Sequence, residues 1–279
     1  MTRSGTETAT ALAPERQDLK PDDVYRLRVV NDVRLSPDHS QAALTIAFAD
    51  REKDEYRSVI AAVDIQTGTV RALTSEDRKS WSPQFSPDGT KLAFVSDRSG
   101  APQLWVLPLR GGEPVQRTFF KNGVSYPRWS PDSTRVAFLS SGGEREVPKQ
   151  ENGKKPDDKP AVRVLKSIRH KEDGRGYFQD KINHVFVVDA AAGEPTQLTH
   201  GDDEDSSIAW SPDGSQIAFA SNRTGDQASD VSDIWVVASG RGATPRRVSR
   251  SSAVLDVPSW SADGTRLAVL GHPDLRSPG

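Results

Sequence analysis

The 279-residue sequence predicts an all-β fold, a β-propeller of four-stranded antiparallel blades with about four and a half blades present and the ring incomplete. Three observations carry that expectation. A phrase seen as Trp129-Ser130-Pro131-Asp132-Ser133 returns as Leu35-Ser36-Pro37-Asp38-His39, Phe85-Ser86-Pro87-Asp88-Gly89, Trp210-Ser211-Pro212-Asp213-Gly214 and Trp260-Ser261-Ala262-Asp263-Gly264. An apolar run follows each copy, over residues 42–48, 92–95, 136–139, 217–220 and 267–270. The serines Ser36, Ser86, Ser130, Ser211 and Ser261 are separated by steps of 50, 44, 81 and 50, and a repeat of roughly 40–50 residues with four short strands is a propeller blade. The step of 81 marks a blade carrying a long insertion.

The phrase itself is turn chemistry. Proline presets φ at the first central position, Asp bonds the backbone two residues on, and Gly accepts a positive φ. Three copies read Asp-Gly between apolar runs, a hairpin signal. The apolar residue before each Ser ends a strand that points into a core.

Residues 1–20 are polar and without periodicity and are expected to be disordered or loosely attached, with the partial propeller over 21–279. A short lead-in at 21–27 can be capped by Asp22. The first blade then places strands over 29–35, 42–49, 58–64 and 70–73, with the charge run 50–55 as a solvated hairpin tip. The second is the cleanest, with strands at 83–85, 92–96, 103–109 and 114–118. In Leu104-Trp105-Val106-Leu107 the alternation is imperfect, as expected of a strand buried on both faces between neighbouring blades. The third blade breaks after 136–139, and a charged insertion over 141–181 intervenes before the strand His184-Val185-Phe186-Val187-Val188-Asp189. Residues 144–159 lack the apolar content to fold alone, whereas 162–168 alternate apolar and basic and fit an extra strand. The fourth blade runs over 208–248, and a fifth begins at Pro258 with a second strand at 267–270. The endings Ala72-Leu73-Thr74, Gln116-Arg117-Thr118 and Gln197-Leu198-Thr199 echo one another.

Composition narrows the function classes. Lys plus Arg number 37 against 39 Asp plus Glu, a formal charge of −2, so no basic field argues for nucleic acid. Cysteine is absent, which removes disulfides and thiolate metal sites and fits a reducing compartment. Residues 1–17 hold no apolar signal core, and no run approaches the roughly 18 apolar residues of a membrane span. A soluble cytoplasmic protein is expected.

The repeated Trp/Phe-Ser-Pro-Asp-Gly with Leu-Ala-Phe, then Ser-Asx-Arg-x-Gly (Ser96 to Gly100, Ser221 to Gly225) and Leu/Ile-Trp-Val, resembles the TolB-type propeller repeat. A narrower match, Asp173-Gly174-Arg175-Gly176-Tyr177 followed by the strand from His184, resembles the propeller of acylaminoacyl-peptidase-like serine peptidases of the prolyl oligopeptidase family. The resemblance implies an α/β-hydrolase catalytic domain as partner, with the nucleophile on a Gly-x-Ser-x-Gly elbow, and a propeller that admits only short peptides. No Gly-x-Ser-x-Gly occurs in these 279 residues, so no catalytic residue is carried over and the chain reads as the gate without the enzyme.

Other chemistry is less well supported by the residues. The five histidines, His39, His170, His184, His200 and His272, form no i, i+4 pair, so no metal and no cofactor are expected. The phrase carboxylates serve their own turns better than a calcium ladder. Gly111-Gly112 and Gly142-Gly143 precede no predicted helix and are not phosphate loops. Arg169, Arg175 and Tyr177 are the candidates for substrate or domain contact, because they lie in the insertion and Arg can hold a carboxylate bidentately; the competing reading pairs them with Asp173 and Asp180. Trp105, Trp129, Trp210, Trp235 and Trp260 recur at blade-equivalent places and are expected in the core, with Trp81 outside the pattern. Two functions follow: the substrate-gating propeller of a cytoplasmic serine oligopeptidase or acylaminoacyl peptidase, or an autonomous TolB-like interaction scaffold. Open blade edges predict self-association.

Overall fold

The computed structural model describes residues 18–141, 171–172, 176–177, 182–223, 231–250 and 254–272. A 3-10 turn over Pro21–Arg26 leads into the first sheet, ordered β1 (Val29–Leu35), β2 (Gln41–Asp50), β3 (Glu55–Asp64) and β4 (Val70–Ala72). The second sheet runs β5 (Ser80–Phe85), β6 (Lys91–Ser96), β7 (Gln103–Pro108), β8 (Val115–Gln116). The third uses β9 (Ser125–Trp129) and β10 (Arg135–Ser140), then, beyond a separate ribbon of β11 (Lys171–Glu172) and β12 (Gly176–Tyr177), β13 (His184–Asp189) and β14 (Thr196–Gln197). The fourth runs β15 (Asp205–Trp210), β16 (Gln216–Ser221), β17 (Asp233–Ala238), β18 (Arg246–Arg247). A two-stranded fifth pairs β19 (Val254–Trp260) with β20 (Leu267–His272). This is the propeller the repeats predict: four antiparallel four-stranded blades and half of another.

The core lies between blades rather than within one sheet. Ala43, Ile60, Leu92 and Phe94 pack the first joint; Val95, Leu104, Trp129, Phe138 and Phe186 the second; Leu139, Val185, Ile217 and Phe219 the third. Each middle strand therefore buries both faces, which is why β10 reads Val-Ala-Phe-Leu without alternation.

The phrase closes its turns as its chemistry predicts. Ser36, Ser86, Ser130, Ser211 and Ser261 each donate their hydroxyl to the Asp two residues on, at 2.5–2.6 Å. Each Asp also accepts a backbone N–H two residues further along. The residue after it is left-handed in every copy: His39, Gly89, Ser133, Gly214 and Gly264 have φ of 59–69°. Glycine at this place serves packing too. A Cβ on Gly214 would stand 3.5 Å from Pro131, and one on Gly264 3.6 Å from Pro212, so each turn abuts the turn of the preceding blade.

Tryptophan at the head of the phrase ties blade to blade. The indole N–H of Trp129 donates to the Gln84 carbonyl at 2.9 Å, that of Trp210 to Arg128 at 2.9 Å, and that of Trp260 to Ala209 at 3.2 Å. The acceptor is always the residue before the preceding blade's own Trp or Phe. The fourth-strand echo has a common role as well: the hydroxyls of Thr74, Thr118, Thr199 and Ser249 accept the N–H of Ile60, Leu104, Val185 and Ile234, one per blade.

Inner strands begin earlier than the sequence predicts, at Ser80, Asp205 and Val254 rather than at 83, 208 and 258. A bulge at Ser82, Ser207 or Val257, with φ of 52°, 47° and 51°, interrupts the alternation that would have revealed the first residues. The expected loose segment 1–17 and the extra strand at 162–168 lie outside the described residues, as does most of the 141–181 insertion.

Candidate functional site: a cleft on the connection face

Because every phrase turn packs on its neighbour, those turns share one face of the propeller. In an up-and-down sheet the opposite face must carry the β2–β3 hairpin and the β6–β7 turn, with the strand ends at Ser140, His184, Ser221 and Asp233. Tyr177 lies in β12 with its backbone paired to Lys171; Arg169 and Arg175, together with their candidate partners Asp173 and Asp180, lie outside the described residues.

The same face holds a cleft of about 560 Å³ between the first two blades, with Asp32, Thr45, Tyr56, Arg57, Lys79 and Trp81 in its wall. It exists because β2 and β3 pair over ten residues, from Gln41↔Asp64 to Asp50↔Glu55, while β6 and β7 pair over only six. The longer hairpin rises above the second blade. The connection from β4 to β5 then crosses beneath it.

Arg57 anchors this arrangement. The residue is 6% exposed, and its guanidinium donates to the Glu76 carbonyl at 3.0 Å and to that of Asp77, to Glu55 at 2.5 Å, and lies 3.0 Å from Asp50. The charge run 50–55 forms the expected hairpin tip, but its two end carboxylates, Asp50 and Glu55, pair with Arg57 rather than standing free. Asp32 pairs with Arg34 at 3.0 Å, and the Lys79 ammonium stands 3.8 Å from Glu55. The charges around the cleft therefore cancel. Sequence reasoning missed this site; the signal available was Trp81, the one tryptophan outside the blade pattern.

A second polar cluster sits at the root of the insertion. Buried Asp205 accepts from Arg223 at 2.6 Å and from the Thr199 hydroxyl at 2.5 Å, and His184 Nδ1 lies 3.6 Å away. The Arg223 guanidinium is also stacked over Phe219 and Trp235, 5.4 and 5.5 Å from their centroids, as Arg98 is over Phe94 and Trp105. This gives the arginine of Ser-Asx-Arg-x-Gly a packing role.

The blades, their turn phrase and the inter-blade tryptophans define a propeller of the TolB class. A family model described as the TolB beta propeller domain matches residues 17–173, and the chain belongs to that family. Among curated proteins it is similar to the "Uncharacterized peptidase YuxL" of Bacillus subtilis, 34% identical over 218 residues, which is 77% of this chain and 33% of that protein. It is also similar to dipeptidyl-peptidase 5 of Porphyromonas gingivalis, 26% identical over 292 aligned positions, covering 96% of this chain and 40% of the other. The chain thus spans 33–40% of the length of these two peptidases. Among solved structures, the acylaminoacyl peptidase of Pyrococcus horikoshii superimposes with a TM-score of 0.64 at 19% identity, over 91% of this chain and 37% of that one; at that identity the likeness is one of fold.

Proposed function

We propose that this chain is the non-catalytic, substrate-gating propeller region of a cytoplasmic serine oligopeptidase or acylaminoacyl peptidase. The observation that carries the reading is the 34% identity with a peptidase over 77% of this chain, confined to 33% of that protein. The shared part is propeller repeat without a Gly-x-Ser-x-Gly elbow, so the hydrolytic chemistry belongs to an α/β-hydrolase partner domain. On this reading the connection face, with the insertion that carries Arg169, Arg175 and Tyr177, docks on that domain, and the propeller limits entry to short peptides.

The test is hydrolysis of acyl-aminoacyl and dipeptidyl p-nitroanilides by this chain, by the hydrolase domain of the parent enzyme, and by the two together. Complex formation with a change in substrate range supports the reading; hydrolysis by this chain alone overturns it. The second reading, an autonomous TolB-like interaction scaffold, is favoured by the family model itself, and would be left standing if the two parts do not associate. Self-association belongs to the proposal as well, because Leu35 and Leu270, on the first and last strand pairs, are 56% and 65% exposed. A monodisperse monomer in sedimentation velocity counts against it.

A further inference from the structure

We infer that the joint between the first two blades binds a small monovalent anion, chloride or a short carboxylate, on Arg98, in the place that the Asp205 carboxylate takes on Arg223. The two arginines are repeat equivalents. Each stands two residues past a buried serine, Ser96 or Ser221, to whose hydroxyl its Nε–H donates at 3.2 or 3.0 Å. Each guanidinium lies over the Phe and Trp of a cross-strand pair, Phe94 with Trp105 and Phe219 with Trp235. In the fourth blade the cation is then neutralised. Asp205, opposite Ser221 and fully buried, accepts from Arg223 Nη2 at 2.6 Å and from the Thr199 hydroxyl of the preceding blade at 2.5 Å. In the second blade the residue opposite Ser96 is Ser80, whose uncharged hydroxyl donates to Ser96 Oγ at 3.1 Å.

Ser80 thus leaves Arg98 without the carboxylate that Arg223 has. Of the side-chain N–H groups of Arg98, Nε–H alone has a hydrogen-bond partner among the described residues, and no carboxylate there forms an ion pair with it. Burial pushes this guanidinium below its ordinary value, while Asp97 and Glu113 act the other way from a distance. Asp97 is itself taken by the Lys79 N–H at 2.9 Å. Across the joint, Thr74 stands where Thr199 stands, with its hydroxyl accepting the Ile60 N–H. A partly desolvated cation with free donors gains strongly from an anion it can hold in its fork. Arg98 is half-exposed whereas Ser80 and Thr74 are buried, so its flexible side chain is the route in, and the joint suits an ion of one to a few atoms. Bound on Arg98, the anion does for blades one and two what Asp205 does for blades three and four.

Binding is read by broadening of the chloride nuclear magnetic resonance line on this chain, with formate as competitor and the bulkier gluconate as control anion. Saturable broadening that formate displaces and gluconate does not is expected, and Arg98→Gln is expected to remove it. Ser80→Asp rebuilds the fourth-blade arrangement, pairs Arg98 within the chain and is expected to abolish binding as well. Asp205→Ser is the reciprocal change and is expected to add a second anion site. At ten times the Kd the folding equilibrium shifts about tenfold, so the Tm in chloride exceeds that in gluconate at equal ionic strength by about 3–5 °C in the unsubstituted chain, and by nothing in Ser80→Asp. Binding of chloride alone, or of formate alone, supports the site and names its ion. Absence of saturable binding by both overturns the inference, and so does undiminished binding in Arg98→Gln or in Ser80→Asp, whichever of the two folds.

Discussion

Replacing Trp129 and Trp105 separately by Phe tests whether the repeat tryptophans act by packing or by tying blades together. Trp129 lies in the second joint and Trp105 packs against the first, and both substitutions delete the same atoms. Trp129 Nε1 donates 2.9 Å across the joint to the Gln84 carbonyl, whereas Trp105 Nε1 is buried with no hydrogen-bond partner among the described residues. The ring volume removed is the same in both, at neighbouring joints of the second blade. What remains is one inter-blade hydrogen bond and a carbonyl left unsatisfied, about 1–3 kcal/mol, while Trp105→Phe relieves an orphan donor. Trp129→Phe is therefore expected to be the less stable of the two by that amount, or a Tm lower by roughly 3–10 °C for a chain of this size. Urea and thermal unfolding followed by circular dichroism read the difference. Equal destabilisation, or a worse Trp105→Phe, would refute the claim that the indole N–H joins the blades.

Other predictions follow from the turns and the hairpin. His39 holds φ of 59°, so His39→Gly is expected to raise stability by roughly 0.5–1 kcal/mol. Ser133→Gly should not, because the Ser133 hydroxyl accepts the Asp88 N–H of the preceding blade at 3.0 Å; chemical denaturation of both variants makes the check. The Ser36 and Ser211 hydroxyls, followed by the N–H and hydroxyl of Ser40 and Ser215, hold the Asp38 and Asp213 carboxyls at about 2 against an ordinary 3.8. Carboxyls depressed in this way stabilise the fold above their unfolded value and lose that contribution as pH falls toward 2. Stability should thus decline from about pH 4 downward, and Asp213→Asn should flatten that slope; an unchanged slope in the variant would contradict the assignment. Arg57→Leu leaves Asp50 without its cation and the Glu76 and Asp77 carbonyls without their donor, and is expected to cost roughly 1–3 kcal/mol, measured by urea unfolding.

The fold was legible in the sequence because the turn phrase is chemically complete within five residues. Ser, Asp and the left-handed fifth position are joined by hydrogen bonds to the Ser, so spacing alone located the blades. Strand starts were less legible. A positive φ at Ser82, Ser207 and Val257 breaks the period of two that marks a strand, and Pro83 and Pro258 read as strand starts although they stand inside a bulge. The cleft was not legible at all. It joins residues near 32, 45, 56 and 80, which only the docking of the second blade on the first brings together. The 50–55 run looked solvated because nothing local shows that Arg57 faces inward.

Gating itself is tested most directly by substrate size. The hydrolase domain that the proposed function requires as partner is assayed on a short acyl-aminoacyl peptide and on an unfolded protein of a few hundred residues, with and without this chain. If this chain is the gate, adding it preserves cleavage of the short peptide and suppresses cleavage of the unfolded protein. Equal cleavage of both substrates with and without the propeller would contradict the account.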